Sequence, residues 1–224
     1  MANNTVALQW NCCGLKHKRD ELELLIAKFS PPVICLQETL LSANIETLQK
    51  EGKALPSVYN FKGYTPYFKC KETGRNGVGL YVKNSIFHSQ IKLKTQLQAL
   101  AVRVTLHNKV FIVCSHYTPP SENPTIEQFQ NLYDQFDKPP IMCGDFNAHN
   151  TLWSHPADDE RGKVLEDFMF NNDLALLNTT IKTHGDALLD LTIIHPALFL
   201  DFDCHVLNDN HRSDHQPIII KFSG

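Results

Sequence analysis

Residues 141–149 read Ile141-Met142-Cys143-Gly144-Asp145-Phe146-Asn147-Ala148-His149. Three apolar residues run into a glycine, then into two polar residues separated by an aromatic. A short run that is apolar at every position fits a strand covered on both faces. Gly, Asp and Asn in close succession mark a turn at its end. Asp145 and Asn147 are therefore expected where a buried strand reaches a rim. Other segments repeat the arrangement: Trp10-Asn11-Cys12-Cys13-Gly14-Leu15, Leu36-Gln37-Glu38-Thr39, Leu189-Asp190-Leu191-Thr192-Ile193 and Ser213-Asp214-His215. Tyr117 likewise follows the apolar run 110–115. One rim can thereby collect side chains from distant parts of the chain.

Working outward, strands are expected at 6–10, 33–37, 79–82, 99–106, 110–115, 141–143, 174–177, 191–194 and 218–222. Helical stripes are fewer. Leu22, Leu25, Ile26 and Phe29 share a face over 18–29. Phe129, Leu132, Tyr133 and Phe136 do so over 125–136, and Leu165, Phe168 and Met169 over 162–171. Without strict βαβ alternation, this order predicts an α/β fold, a layered α/β sandwich. The chain has 224 residues, 42% of them hydrophobic, and shows no repeat or linker. That predicts one domain over 1–224.

No apolar run approaches the ~18 residues of a membrane span, and residues 1–9 show no leader pattern. An intracellular protein with no membrane partner is expected. The seven cysteines are an odd number and contain no C-x-x-C. Neither a complete disulfide framework nor a zinc site is expected, and a reducing compartment fits best. The net charge of −3 hides an asymmetry: residues 1–110 hold 15 Lys+Arg against 7 Asp+Glu, and residues 111–224 hold 6 against 17. One reading is solvated surface. The other is a cation-binding centre faced by a basic rim that holds phosphates. Lys16, Lys18, Lys71 and Arg75 are the candidates for that rim.

The rim segments together supply a Glu, three Asp, two His and two Asn. That set suits metal-assisted phosphodiester hydrolysis. A hard cation such as Mg²⁺ takes carboxylate, water and phosphate oxygens and stabilises the leaving oxygen. A carboxylate can take the proton of an attacking water, and an imidazole can stabilise charge on the phosphoryl oxygens. A Ser or Cys nucleophile is poorly supported: there is no G-x-S-x-G, and neighbours in Ser213-Asp214-His215 would point to opposite faces of an extended strand.

The order N-x-x-G-L, L-Q-E-T, G-D-F-N, S-D-H, running over nearly the whole chain, resembles the endonuclease/exonuclease/phosphatase superfamily. That group includes DNase I and the apurinic/apyrimidinic endonucleases. Gly-Asp-Phe-Asn-Ala-His with Trp153, Arg161-Gly162, Leu177-Asn178-Thr179 and Leu189-Asp190-Leu191-Thr192-Ile193 is similar to the endonuclease domain of non-LTR retrotransposons, as is Arg75-Asn76-Gly77-Val78-Gly79. The resemblance implies a four-layer DNase I-like sandwich of two packed, mainly antiparallel sheets flanked by helices. It implies a Mg²⁺- or Mn²⁺-dependent DNA endonuclease that leaves a 3′-hydroxyl to prime reverse transcription. Double-stranded DNA and a reverse transcriptase domain of the same polyprotein are its implied partners, and the nucleus its place of action on chromosomal DNA.

Residue by residue, the resemblance makes Glu38 the main metal ligand, with Asn11 beside it and Asp214 on the metal side. Asp145 would position or deprotonate the water, and Asn147 bind the scissile phosphate. His215 would bond a non-bridging oxygen, with Asp190 fixing its ring, and Tyr117 would touch the phosphate or the leaving group. Thr192 and Ser213 would support the substrate site. Two positions depart from the family pattern: Cys13, where many members carry an acid, and Pro120, where repair enzymes often carry an Asn. An abasic-site repair endonuclease is the alternative. Between Asn178 and Asp190, residues 179–189 predict a hairpin turning at Gly185-Asp186. The resemblance implies that this hairpin touches the DNA groove, through Thr180, Ile181, Lys182 and His184.

Overall fold

The computed structural model describes residues 4–71, 74–153, 156–179 and 181–224. Among these, two six-stranded sheets pack face to face. The first contains β1 (Thr5–Asn11), β2 (Val33–Gln37), β3 (Tyr64–Lys69), β4 (Val78–Lys83), β11 (Phe202–Val206) and β12 (Ile218–Phe222), in the order β11-β12-β1-β2-β4-β3. The second contains β5 (His88–Ile91), β6 (Gln98–Leu106), β7 (Lys109–Tyr117), β8 (Ile141–Asp145), β9 (Ala175–Leu176) and β10 (Asp190–Ile194), in the order β5-β6-β7-β8-β10-β9. Each sheet is antiparallel except for one central parallel pair, β1 with β2 and β7 with β8. This is the DNase I-like sandwich that the sequence led us to expect.

Alternation within the strands builds the layers. In β2, Val33 and Cys35 face the core between the sheets, whereas Ile34 and Leu36 face outward. The outward face of the first sheet is covered by α1 (Arg19–Phe29) and α2 (Ala43–Lys50), through Leu22, Leu25 and Ile45. The second sheet is covered by α3 (Ile126–Tyr133) and α4 (Glu160–Asn171), through Phe129, Leu132, Leu165 and Phe168. Both faces of a central strand are therefore apolar, which is why these strands read as unbroken hydrophobic runs. The α3 helix starts at the Thr125–Gln128 capping box and α4 at Asp159, whose carboxylate accepts from Gly162 N–H.

The three strands absent from the sequence expectation, β3, β5 and β11, are all edge strands. Among the described residues no strand pairs with their outer flanks, so polar residues and Pro66 are tolerated there and the apolar signal fades. The expected hairpin over 179–189 is corrected. Gly185 and Asp186 do turn the chain between a bridged His184 and Ala187, but among the described residues no strand pair extends from that bridge, and His184 also bridges to His215. Thr180 lies outside the described residues.

Two buried residues lock the β7–β8 pair. Gly144 sits opposite His116, and a Cβ at Gly144 would come within 1.8 Å of the His116 carbonyl oxygen. His116 is fully buried among Phe129 and Phe146, with Nε2 2.7 Å from Thr118 Oγ1. Burial, and then the Lys69 charge, push its imidazole from 6.5 down to about 3. The unfolded chain therefore takes up a proton between pH 6.5 and 3 that the folded chain refuses. Stability should fall as pH falls through that window, by up to about 1.4 kcal/mol per pH unit from this group. Urea unfolding of wild type and His116→Phe at pH 7 and pH 5 checks this. The variant should lose less stability on acidification, and equal losses would remove His116 from the pH response.

All seven cysteines are free. Among the described residues no helix is long and apolar enough to cross a membrane.

Candidate active site

The parallel pairs β1/β2 and β7/β8 end at one rim of the sandwich. Asn11 and Tyr117 are the last residues of β1 and β7, Asp145 closes β8, and Glu38 follows β2. Asp190 opens β10 opposite Asp145, and His215 lies just ahead of β12. The alternation that packs the core also points Gln9, Asn11 and Gln37 into the space between the sheets, where all three are fully buried.

Asn11 joins the halves. Its Nδ2 donates to Glu38 Oε1 at 2.9 Å and to Asp145 Oδ2 at 2.8 Å, while its Oδ1 accepts from Cys13 N–H. The Asn11 amide thus holds two carboxylates together and turns nitrogen, not oxygen, toward them. Tyr117 Oη donates to Glu38 Oε1 at 2.9 Å. Burial, and next the Glu38 charge, keep this phenol protonated by pushing its pKa far up. Glu38 stands at φ 50°, a left-handed conformation uncommon outside glycine, as do Cys13 at 46° and Asn147 at 45°. Such backbone outliers gather at functional sites. Here they turn the chain sharply off the strand ends.

Asp145 is fully buried. Its Oδ1 accepts from Asn147 N–H, and its Oδ2 accepts from Asn11 and from Asn147 Nδ2 at 3.2 Å. Burial, and then the Asp190 charge, push its carboxyl well above the ordinary carboxylate range. Asn147 Nδ2 also donates to Thr118 O, so its amide is engaged within the site and contacts a phosphate only after reorienting.

Asp190 and His215 form a close pair, with Oδ2 and Nδ1 2.6 Å apart. Nε2 of His215 then faces Asp145 Oδ2 at 3.8 Å. Burial lowers the imidazole pKa, but the Asp190 charge and hydrogen bond, with Asp145 and Asp214 behind them, outweigh it and raise it to about 9. Three acids thus surround one imidazole.

Supporting residues that the sequence reading did not single out fix this pair. Gln9 Nε2 reaches across from the first sheet to Asp190 Oδ1 at 2.9 Å and also donates to Gln37 Oε1; Gln37 in turn donates to Ser115 Oγ. Thr183 Oγ1 accepts from Asp190 N–H, and Asn178 Nδ2 donates to Asp190 O. Trp10 Nε1 donates to His215 O. The one available signal was polar residues at inward positions of apolar strands, as with Gln9 and Gln37: a polar group is buried there only when it is satisfied.

Glu38, Asp145 and His215 place ligand atoms within 4.8 Å of one another. Asp214 falls instead in a second group with His184 and the shared His215, 3.6 Å from His184. Ser213 Oγ donates to Asn11 O, a supporting contact. Thr192 is fully buried, with its hydroxyl against Cys204 Sγ, and cannot touch substrate. Its strand is covered on both faces, and the two-residue period from Asp190 carries it into the sandwich. Lys182 pairs with Asp186, and Lys71 with Glu122. Exposed Arg75 belongs to the 74–77 turn, which pairs through Asn76 and Gly77 with the corner after Glu38.

Fold and rim together define a DNase I-like scaffold. Residues 111–219, a little under half of the chain, match the family described as Endonuclease-reverse transcriptase. The chain is 26% identical over 224 residues to the probable RNA-directed DNA polymerase from transposon X-element of Drosophila melanogaster, covering 95% of this chain and 23% of that protein. It is 29% identical over 188 residues to Recombination repair protein 1 of the same organism, covering 73% and 26%. The chain thus spans about a quarter of these relatives' length. Among solved structures it is similar to the endonuclease domain of TRAS1, a telomere-specific non-LTR retrotransposon. The TM-score is 0.78 and the identity 21%, with 96% of both chains covered.

Proposed function

We propose that this chain is the endonuclease domain of a non-LTR retrotransposon polyprotein, a divalent-metal-dependent enzyme that nicks double-stranded DNA. One observation carries the reading: a buried Asp190–His215 pair faces a buried Asp145, which Asn11 ties to Glu38. The residues present fit a hard cation. Glu38, Asp145 and His215 converge, oxygen donors dominate, and buried carboxylates outnumber the imidazole that faces them. A Mg²⁺ or Mn²⁺ ion held by Glu38 and a neighbouring acid would polarise the phosphoryl group and stabilise the leaving oxygen.

The chain's own groups do the rest. Asp145, its carboxylate fixed by Asn11 and Asn147, orients the attacking water and accepts its proton. Protonated His215 donates from Nε2 to a non-bridging phosphoryl oxygen, while Asp190 holds Nδ1 and so fixes the ring and its charge. Asn11 and Tyr117 orient Glu38. In the polyprotein, a 3′-hydroxyl at the nick would serve the reverse transcriptase domain as primer, with the nucleus as the place of action on chromosomal DNA.

The test is to map the ends of nicks made in duplex DNA. Ends extended by a DNA polymerase without phosphatase treatment are expected. Nicks bearing 3′-phosphates would rule the mechanism out. The likeness to Recombination repair protein 1 favours a second reading, a repair endonuclease at abasic sites. Duplexes with and without one abasic residue separate the two: comparable cutting supports the retrotransposon reading, whereas cutting confined to the abasic duplex supports repair.

A further inference from the structure

We propose that His184, Asp214 and His215 form a second cation site, suited to Zn²⁺, whose occupancy switches off the nuclease reaction proposed above. The consequence for activity rests on that reading; the site itself does not.

The backbone makes the site. His184 and His215 form an antiparallel bridge, so their side chains are directly opposed cross-strand neighbours. The two imidazole centroids are 4.5 Å apart. Asp214, next to His215, brings Oδ2 to 3.6 Å from His184 Nε2. One ligand atom from each of the three residues lies within 4.8 Å of the others. Small side-chain adjustments then close the set around one ion. His184 and Asp214 have exposed side chains, 41% and 59%, that can make them, while His215, at 5%, is the fixed ligand. An open cleft of about 960 Å³, bordered by Thr183, Gly185, Asn210, Asp214 and Gln216, brings solvent to the Asp214 ligand.

The donor chemistry separates this site from the one at Glu38. Two imidazole nitrogens and one carboxylate suit Zn²⁺ and neighbouring transition ions, whereas Mg²⁺ keeps to oxygen. The outer shell is already in place. Asp190 accepts from His215 Nδ1, so when Zn²⁺ displaces the Nε2 proton the imidazole binds it through Nε2 with Nδ1–H still held, the arrangement typical of zinc-bound histidines. Cysteine spacing carried no sign of such a site, because its ligands meet only through the His184–His215 bridge. Occupancy inhibits because the reaction needs His215 Nε2 as a proton-bearing hydrogen-bond donor. Zn²⁺ takes that lone pair and leaves no proton to donate.

The experiment has two arms on the 224-residue chain. Calorimetric titration with Zn²⁺ alone should show one site in wild type, weakened at least about tenfold in His184→Ala and in Asp214→Asn. Glu38→Gln should retain it. In Mg²⁺-supported nicking, Zn²⁺ should inhibit wild type, and His184→Ala, scaled to its own zinc-free rate, should need at least about tenfold more. Circular dichroism checks folding, and His184→Gln replaces any alanine variant that fails it. Absence of Zn²⁺ binding, equal binding by His184→Ala, or binding lost only in Glu38→Gln would each overturn the site. Equal inhibition of wild type and His184→Ala would overturn its role. If Mg²⁺ supports no nicking, the nuclease reading fails, while the calorimetric arm still decides whether the site exists.

Discussion

Asp145→Asn should slow DNA nicking by roughly 10²–10⁴-fold, the range for losing a positioned acid–base group, while the folded protein becomes more stable. Both effects have one cause. Asp145 is fully buried, close to Asp190, and its carboxyl is pushed up by burial and by that neighbour. Ionised Asp145 therefore costs folding free energy, and the neutral amide removes that cost. Asn fits the same space and keeps one acceptor oxygen, for Asn147 N–H or for the Asn11 amide but not for both, and it accepts no proton from water. Such opposed changes are expected where a site trades stability for chemistry. Nicking rates and urea midpoints of the two proteins check this. A variant that cuts normally, or one that cuts slowly only because it unfolds, would contradict the role given to Asp145.

His215→Ala should slow turnover by roughly 10²–10⁴-fold while DNA binding changes far less. His215 is buried, paired to Asp190 at 2.6 Å, and its pKa is raised to about 9. It is charged at neutral pH and stabilises negative charge that grows only as the phosphoryl group reacts, so the loss falls on kcat. Asp190→Asn should reproduce part of it, because the ring then loses both its anchor and the charge that keeps it protonated. Gln9→Leu, which deletes the contact to Asp190 Oδ1 together with that to Gln37, should give a milder loss in the same direction. Single-turnover rates and filter-binding affinities separate chemistry from binding. A His215→Ala enzyme within threefold of wild-type rate would remove His215 from the mechanism.

Much of this was legible in the sequence, for a physical reason. Central strands buried on both faces leave continuous apolar runs, and β1, β2, β7, β8, β10 and β12 were read from them. The rim residues Asn11, Glu38, Tyr117, Asp145 and Asn147 follow those runs directly, so the sequence alone places them together. The edge strands β3, β5 and β11 were not legible, because half-exposed strands tolerate Pro66, Ser89 and Asp203. The α2 helix was missed because it buries Ile45 and little else. Contacts between the sheets were also invisible. Nothing in the order of residues says that Gln9 meets Asp190, or that the 179–189 segment bridges to His215 as well as across its own turn. The face on which Thr192 falls depends on register, and a two-residue period alone does not tell a rim from an interior.

The most direct test is a supercoiled plasmid incubated with the 224-residue chain in Mg²⁺, in EDTA, and in Mg²⁺ with Asp145→Asn. Nicked circles should form in Mg²⁺ with wild type and be absent, or slowed at least about a hundredfold, in the other two. Equal nicking in EDTA, or equal nicking by Asp145→Asn, would contradict a metal-dependent phosphodiesterase centred on Asp145.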